Sequence, residues 1–239
     1  MTHSIFLIIA VDLVCAGLAL GGLTLLSRSR LMARHRERED KPHRISKGEH
    51  ARVTTINSVV SMSMVFGLAW LAHDQLFTTE PRSALRIVFE AVAILAVYDL
   101  LYYLYHRFVL HEWAPGRRIH AVHHRIRTPY APDSVYVHPL ETFGGVALLL
   151  LSTWLVGPVH VYAFGLCFLV YSVLNLFIHS AFHLPFAPFR TLTAMVDHHD
   201  IHHTSMRGGY YASITPLYDW LLRTNHERAG RTTAAASDA

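Results

Sequence analysis

The sequence predicts an all-α protein: a multi-pass transmembrane helical bundle of four to five membrane segments, carrying a cytosolic, histidine-rich helical cap. Three observations carry that prediction. Apolar residues make up 52% of the chain and charged residues only 16%, against roughly 25% charged in soluble domains. The apolar residues fall into long runs divided by short polar stretches. Nineteen histidines, far more than average usage gives, gather in tight groups at the ends of those runs.

The runs are read in order. Ile5 to Leu26 is apolar apart from Asp12, which covers the roughly 20 residues that a helix needs to cross a bilayer. A cleaved signal peptide would show a basic start, a shorter apolar core and a small-residue cleavage site, and none of these is clear. From Arg28 to Arg52 arginine and lysine outweigh acidic residues. Between two apolar runs, such a basic loop is the positive-inside signal rather than a nucleic-acid patch, so it is expected in the cytosol. Val53 to Leu71 is the second span. Ala84 to Tyr105 is the third, and it delivers His106 back to the cytosolic side. Phe143 to Ile178 breaks at Gly157-Pro158, where proline ends a helix and glycine relaxes the turn. Because Phe143 to Val156 is short for a crossing, this stretch is either two spans or a re-entrant hairpin. The chain therefore divides into two N-terminal segments with their basic loop (1–83), a histidine-rich unit (84–224) and a disordered Ala/Thr/Ser-rich tail (225–239). Cys15 and Cys167 both sit in apolar stretches and give no disulfide framework.

Direction was set by arginine and lysine alone, yet every histidine group lands on one side. The groups are His106 with His111; His120, His123 and His124; His179 with His183; and His199, His202 and His203. On a helix, positions i, i+3 and i+4 share a face, so the last three groups each project together. His106 and His111 are five apart, about 140° around an ideal helix, so that pair is expected at a helix end or a local distortion. Converging imidazoles repel if protonated and cost free energy if buried without partners. A metal removes both problems, since neutral imidazole ligates zinc, iron, copper and nickel. Ten ligands exceed one ion's capacity, so two ions are expected. Lone histidines such as His3, His35, His43, His50, His73, His160 and His226 are read as polar lining.

Asp99 lies inside the third span, where a carboxylate is expensive. Asp99, Tyr103 and His106 follow i, i+4, i+7, so the carboxylate is placed to accept the free N–H of a metal-bound imidazole; a bond to a neighbouring helix is the alternative. Asp200 invites the same reading. His138 and Glu141, in His-Pro-Leu-Glu, stand just before the fourth run, where His138 either caps that helix or lines the site.

The ordered set of Asp99, Tyr103, His106-Arg107, His111, His120-Ala-Val-His123-His124, His138-Pro-Leu-Glu141, His179 with His183, and His199-Asp-Ile-His202-His203 resembles the fatty acid hydroxylase / sterol desaturase superfamily of integral-membrane non-haem diiron enzymes. The resemblance runs from about residue 85 to residue 224. It implies a bacterial inner-membrane or endoplasmic-reticulum enzyme that oxidises a lipid, with O2 as co-substrate. It also implies two iron ions held by the ten histidines, and an external electron donor of ferredoxin, rubredoxin or cytochrome type. Many members carry a WDRxFGT-like segment after the last cluster, whereas this chain reads YDWLLRTN from Tyr218 to Asn225.

Two other classes cluster histidines in membranes. A metal transporter or sensor would place ligands along a path inside the spans, and here they sit at span ends. A bis-histidine haem protein would place one histidine on each of two facing helices at mid-span, and only His160 comes near that. An O2-dependent lipid hydroxylase or desaturase is the expected function.

Overall fold

Five helices of this integral membrane protein are long and apolar enough to span a bilayer, seen in a computed structural model that describes residues 2–30, 35, 45–184, 186–187, 189–204, 206 and 209–225. They are α1 (Thr2–Arg28), α2 (Lys47–Leu71), α4 (Ala84–Leu104), α6 (Pro139–Val156) and α7 (Val161–Ile178). A short α3 (His73–Leu76) follows α2. The cap consists of α5 (Ala114–His120), two 3-10 turns (His123–Arg125 and Ala131–Val135), α8 (Arg190–Thr204) and α9 (Leu217–Leu221). Most of the expected basic loop and the tail beyond residue 225 lie outside the described residues.

Local sequence sets the helix ends. The Ser46 and Ser83 hydroxyls accept the backbone N–H of Glu49 and Arg86, opening α2 and α4. Pro139 stands at the first position of α6, where its missing N–H costs nothing, and the His138 ring accepts from Leu140 N at 3.1 Å. His138 thus caps the helix. The expected hairpin is present: α6 stops at Gly157, whose φ of 103° suits a residue without Cβ, and α7 starts four residues later.

One element was not foreseen. β1 (Phe77–Thr78) pairs in parallel with β2 (Val159–His160), tying the loop before α4 to the α6–α7 hairpin. Beside it, buried Glu90 accepts from Arg82, from Arg86 Nε at 3.0 Å and from His160 N at 2.9 Å. This latch marks one end of the bundle. At the other end, His50 Nε2 meets Asp133 Oδ1 at 2.8 Å and Arg125 reaches Glu49, so the start of α2 packs on the cap. All the clustered histidines lie at that same end.

The core runs between the helices through Ile5, Ile9, Ile94, Tyr98, Leu149 and Phe164. Outward-facing Leu18, Leu85, Phe89 and Trp154 stay more than half exposed, as lipid contact requires. Packing between spans rests on close approach, since apolar side chains gain little by leaving lipid for a neighbouring helix. At Gly165 on α7, an added Cβ would sit 2.4 Å from Ile8 Cγ2 on α1. Gly165→Ala is therefore expected to lower stability by about 1–3 kcal/mol, the usual cost of overpacking. Thermal unfolding in detergent would show it, with Ile8→Ala restoring much of the loss; additive effects of the two changes would refute the contact.

Candidate metal centre

The five-residue spacing of His106 and His111 has a backbone cause. After Leu104 the third span continues as a π-helix, Tyr105–Glu112, whose i→i+5 bonding brings residues five apart to one side. The two Nε2 atoms lie 3.3 Å apart. The distortion expected from the spacing is there.

The HAVHH group departs from expectation. It is not one helix: α5 ends at His120, and His123 and His124 start a 3-10 turn. His120 Nε2 therefore approaches His106 Nε2 at 3.0 Å, while His123 Nε2 approaches His179 Nε2 at 3.3 Å. HDIHH does lie on one helix, α8, but it also divides. From His199, His202 sits about 60° to one side and His203 about 40° to the other. His203 Nε2 stays with His199 Nε2 at 3.0 Å, and His202 Nε2 meets His124 Nε2 at 3.1 Å.

Two buried groups result. His106, His111, His120 and His202 offer ligand atoms within mutual reach, and so do His123, His179, His199 and His203. His124 joins the first group through Nε2, 3.1 Å from that of His120 as well as that of His202. His183 stands apart. α7 ends at Ile178 and Ala181 takes a φ of 57°, so the helical i, i+4 relation to His179 is lost. The His183 ring is 42% exposed and pairs with Asp197 Oδ1 at 3.2 Å.

The other nitrogen of each ring shows what the groups are suited to hold. Nδ1–H donates to a backbone carbonyl in six rings: His106 to Tyr211 O (2.7 Å), His111 to Met206 O (2.8 Å), His123 to Tyr136 O (3.2 Å), His179 to Asn175 O (2.7 Å), His202 to Gly209 O (2.8 Å) and His203 to Ile126 O (2.8 Å). In His120 it donates to Glu141 Oε1 at 2.8 Å. A carbonyl only accepts, so each of those Nδ1 atoms carries the proton and each Nε2 presents a lone pair. Between rings assigned in this way, His106 with His120, His106 with His111 and His123 with His179, lone pairs facing one another at 3.0–3.3 Å repel unless a cation lies between them. Ligands about 2.1 Å from one ion and at right angles stand about 3.0 Å apart, so the residues fit a metal at each group.

The acidic partners differ from expectation. Asp99 does not meet an imidazole. Its carboxylate accepts from Ile214 N (3.2 Å), Thr215 N (3.4 Å) and Thr215 Oγ1 (2.5 Å), because the 209–217 loop lies between it and the histidines. Tyr103 likewise turns away, bonding Thr224 Oγ1 at 2.9 Å and receiving Arg107. Asp200 is buried on α8. Within the two buried groups, the carboxylate that backs an imidazole among the described residues is Glu141, and the sequence signal for it was its place in His-Pro-Leu-Glu. Among the other histidines, His50 pairs with Asp133, His160 caps α7, and His43 and His226 lie outside the described residues.

Burial first, and neighbouring imidazoles second, hold His120, His124, His199 and His203 well below the ordinary imidazole range. Burial pushes His179 down to about 3. Neutral rings are the form that binds metal.

The fatty acid hydroxylase family profile matches residues 91–224. The chain is 28% identical over 180 residues to a cholesterol 25-hydroxylase-like protein of Danio rerio, covering 71% of this chain and 68% of that protein. It is 26% identical over 218 residues to a very-long-chain aldehyde decarbonylase of Oryza sativa, covering 86% and 82%. A methylsterol monooxygenase of Gallus gallus is 31% identical over 126 residues, 49% of this chain and 40% of that protein. No solved structure gives a significant match.

The lowered imidazole values predict acid sensitivity. Unfolded histidine takes a proton near pH 6.5 and folded His179 only near 3, so the unfolded state binds more protons between those values. Stability should be intact above pH 6.5 and fall as pH drops below it. Thermal unfolding of metal-free protein in detergent from pH 7.5 to pH 5 would measure this, and a flat profile would contradict the buried, neutral assignment.

Proposed function

The chain belongs to the fatty acid hydroxylase family, and from that premise we propose that it is an O2-dependent membrane oxidoreductase that hydroxylates, or desaturates, a lipid such as a sterol or fatty acyl chain. The observation that carries the reading is the pair of buried imidazole groups whose Nε2 atoms converge at the membrane end of the spans. Two iron ions would be held by His106, His111, His120, His124 and His202 on one side, and by His123, His179, His199 and His203 on the other. When bound, such irons supply the reduction of O2 by external electrons and the removal of hydrogen from an unactivated C–H bond, chemistry that side chains lack.

The chain's own residues do the rest. The carbonyls of Tyr211, Met206, Gly209, Tyr136, Asn175 and Ile126 fix one tautomer of six rings and so aim six Nε2 lone pairs inward. Glu141 places negative charge behind His120, raising its donor strength. The second set has one ring fewer, which leaves room there for a further ligand. His202 and His203 are almost wholly buried, so bulk water is kept from the centre. A small cavity of about 20 Å³, lined by Tyr98, Tyr102, Tyr171, Leu174, Asn175, Ser213 and Ile214, lies on the span side of the histidines. A lipid chain entering from the bilayer would reach the centre by displacing those tyrosines.

The relatives include a cholesterol 25-hydroxylase-like protein, a methylsterol monooxygenase and a very-long-chain aldehyde decarbonylase, so sterols and long-chain lipids are the substrate classes to try first. The electrons would come from a ferredoxin, rubredoxin or cytochrome, in the bacterial inner membrane or the endoplasmic reticulum. Transport is disfavoured because the ligands form two closed pockets at span ends rather than a path. Lipid profiling under isotopically heavy O2 tests the proposal, comparing host cells that express the wild type or His202→Ala. A lipid that gains heavy oxygen, or a double bond, only with the wild type is expected. An unchanged lipid profile, with metal flux across vesicles instead, would overturn it.

A further inference from the structure

The two histidine groups are held in place by different parts of the chain. Of the four Nδ1 acceptors in the first group, three are the carbonyls of Met206, Gly209 and Tyr211. The acceptors of the second group come from Tyr136, Asn175 and Ile126, none of them in that segment. The backbone also turns left-handed here: Gly209 has a φ of 71°, which glycine adopts freely, and Tyr210 a φ of 53°, which a residue with a Cβ avoids. Left-handed geometry crowds the Cβ against the following carbonyl, so something must hold Tyr210 there.

What holds it is a clasp formed by the end of the described chain. Asp219 on α9 is 2% exposed, and its two carboxylate oxygens accept from Tyr211 N at 2.8 Å and Ala212 N at 2.9 Å. Thr224 O accepts from Tyr210 N at 3.0 Å, and Thr224 Oγ1 donates to Asp219 Oδ1 at 2.7 Å. The relay continues to the third span, with Tyr103 OH 2.9 Å from Thr224 Oγ1 and Arg107 donating to Tyr103 at 3.1 Å. The left-handed pair and its three neighbouring amides are thereby fixed, and with them the Gly209 and Tyr211 carbonyls that orient His202 and His106.

We infer that Asp219, supported by Thr224, is a positioning residue for one metal position of the two, the one formed by His106, His111, His120, His124 and His202. The inference rests on the two-metal reading above and adds a direction to it: loosening the clasp unseats one ion and spares the other. An aspartate that merely stabilised a surface loop would affect neither position, or both through general unfolding. Tyr103, which sequence spacing placed on the face of His106, takes part from the clasp side.

The test uses full-length protein in detergent, stripped of metal and titrated with ferrous iron without oxygen. Wild type should take up two ions. Asp219→Asn should take up one ion with wild-type affinity, and the second about 10–100-fold more weakly, the usual cost of losing an orienting partner. Excess ferrous iron should restore the second ion, which a damaged fold would not allow. Thr224→Val, which removes only the hydroxyl, should weaken the same step by less, and it decides the matter if Asp219→Asn fails to fold. Two ions bound at wild-type affinity in both variants would overturn the inference, as would equal weakening of both steps. A wild type that binds fewer than two ions would overturn the two-metal reading and this inference with it, a result separable from any variant.

Discussion

Seven imidazoles in this protein spend their only proton on an oxygen that points outward from the histidine groups, and so each presents a bare nitrogen inward. The remaining architecture depends on that constraint. Inward nitrogens at 3.0 Å, as between His106 and His120, raise the electrostatic energy of the folded chain until a cation joins them. Protonating the rings instead would bring buried like charges together, which burial already opposes. The fold stores a binding preference for metal in the direction of its hydrogen bonds.

The bundle supplies that arrangement from four separate segments. The third span brings two histidines through its π-helical end, and α7 brings His179 at its C-terminal cap. Helix α8 divides its histidines between the two groups, as does the turn from α5 into the 3-10 segment. The two groups are thus joined through shared elements, yet oriented by different acceptors. At the far end, the Glu90 latch and the β1–β2 pair fix the spans against one another.

Much of this was legible in the sequence, for identifiable reasons. Spans are read from runs of apolar residues, and the Gly157 turn from residues with few conformational options. The need for a distortion at His106 and His111 followed from a five-residue spacing on a helix of fixed pitch. The division of HAVHH and HDIHH between two groups did not follow, because spacing says which residues share a face but not which neighbour that face meets. His183 misled because a helix was assumed where α7 had already ended. Asp99 stands on the expected side of its helix, but a loop from a distant part of the chain reaches it first. The six carbonyl acceptors were invisible in principle, since every residue carries one. Glu141 carried only the weak signal of an acidic residue within a histidine motif, and Asp219 only its place in the YDWLLRTN segment.

On the proposed reading, two ions are held by imidazole nitrogen in separate groups, without a carboxylate drawing them together. Glu141 is already engaged with His120, Asp99 is engaged with the 214–215 backbone, and both groups consist of histidine alone among the described residues. X-ray absorption of the iron-loaded protein measures this directly. Nitrogen ligands at about 2.1 Å with imidazole scattering and no short metal–metal distance are expected. A metal–metal vector at roughly 3.5–4 Å with bridging oxygen, as in two-metal hydrolases, would contradict it.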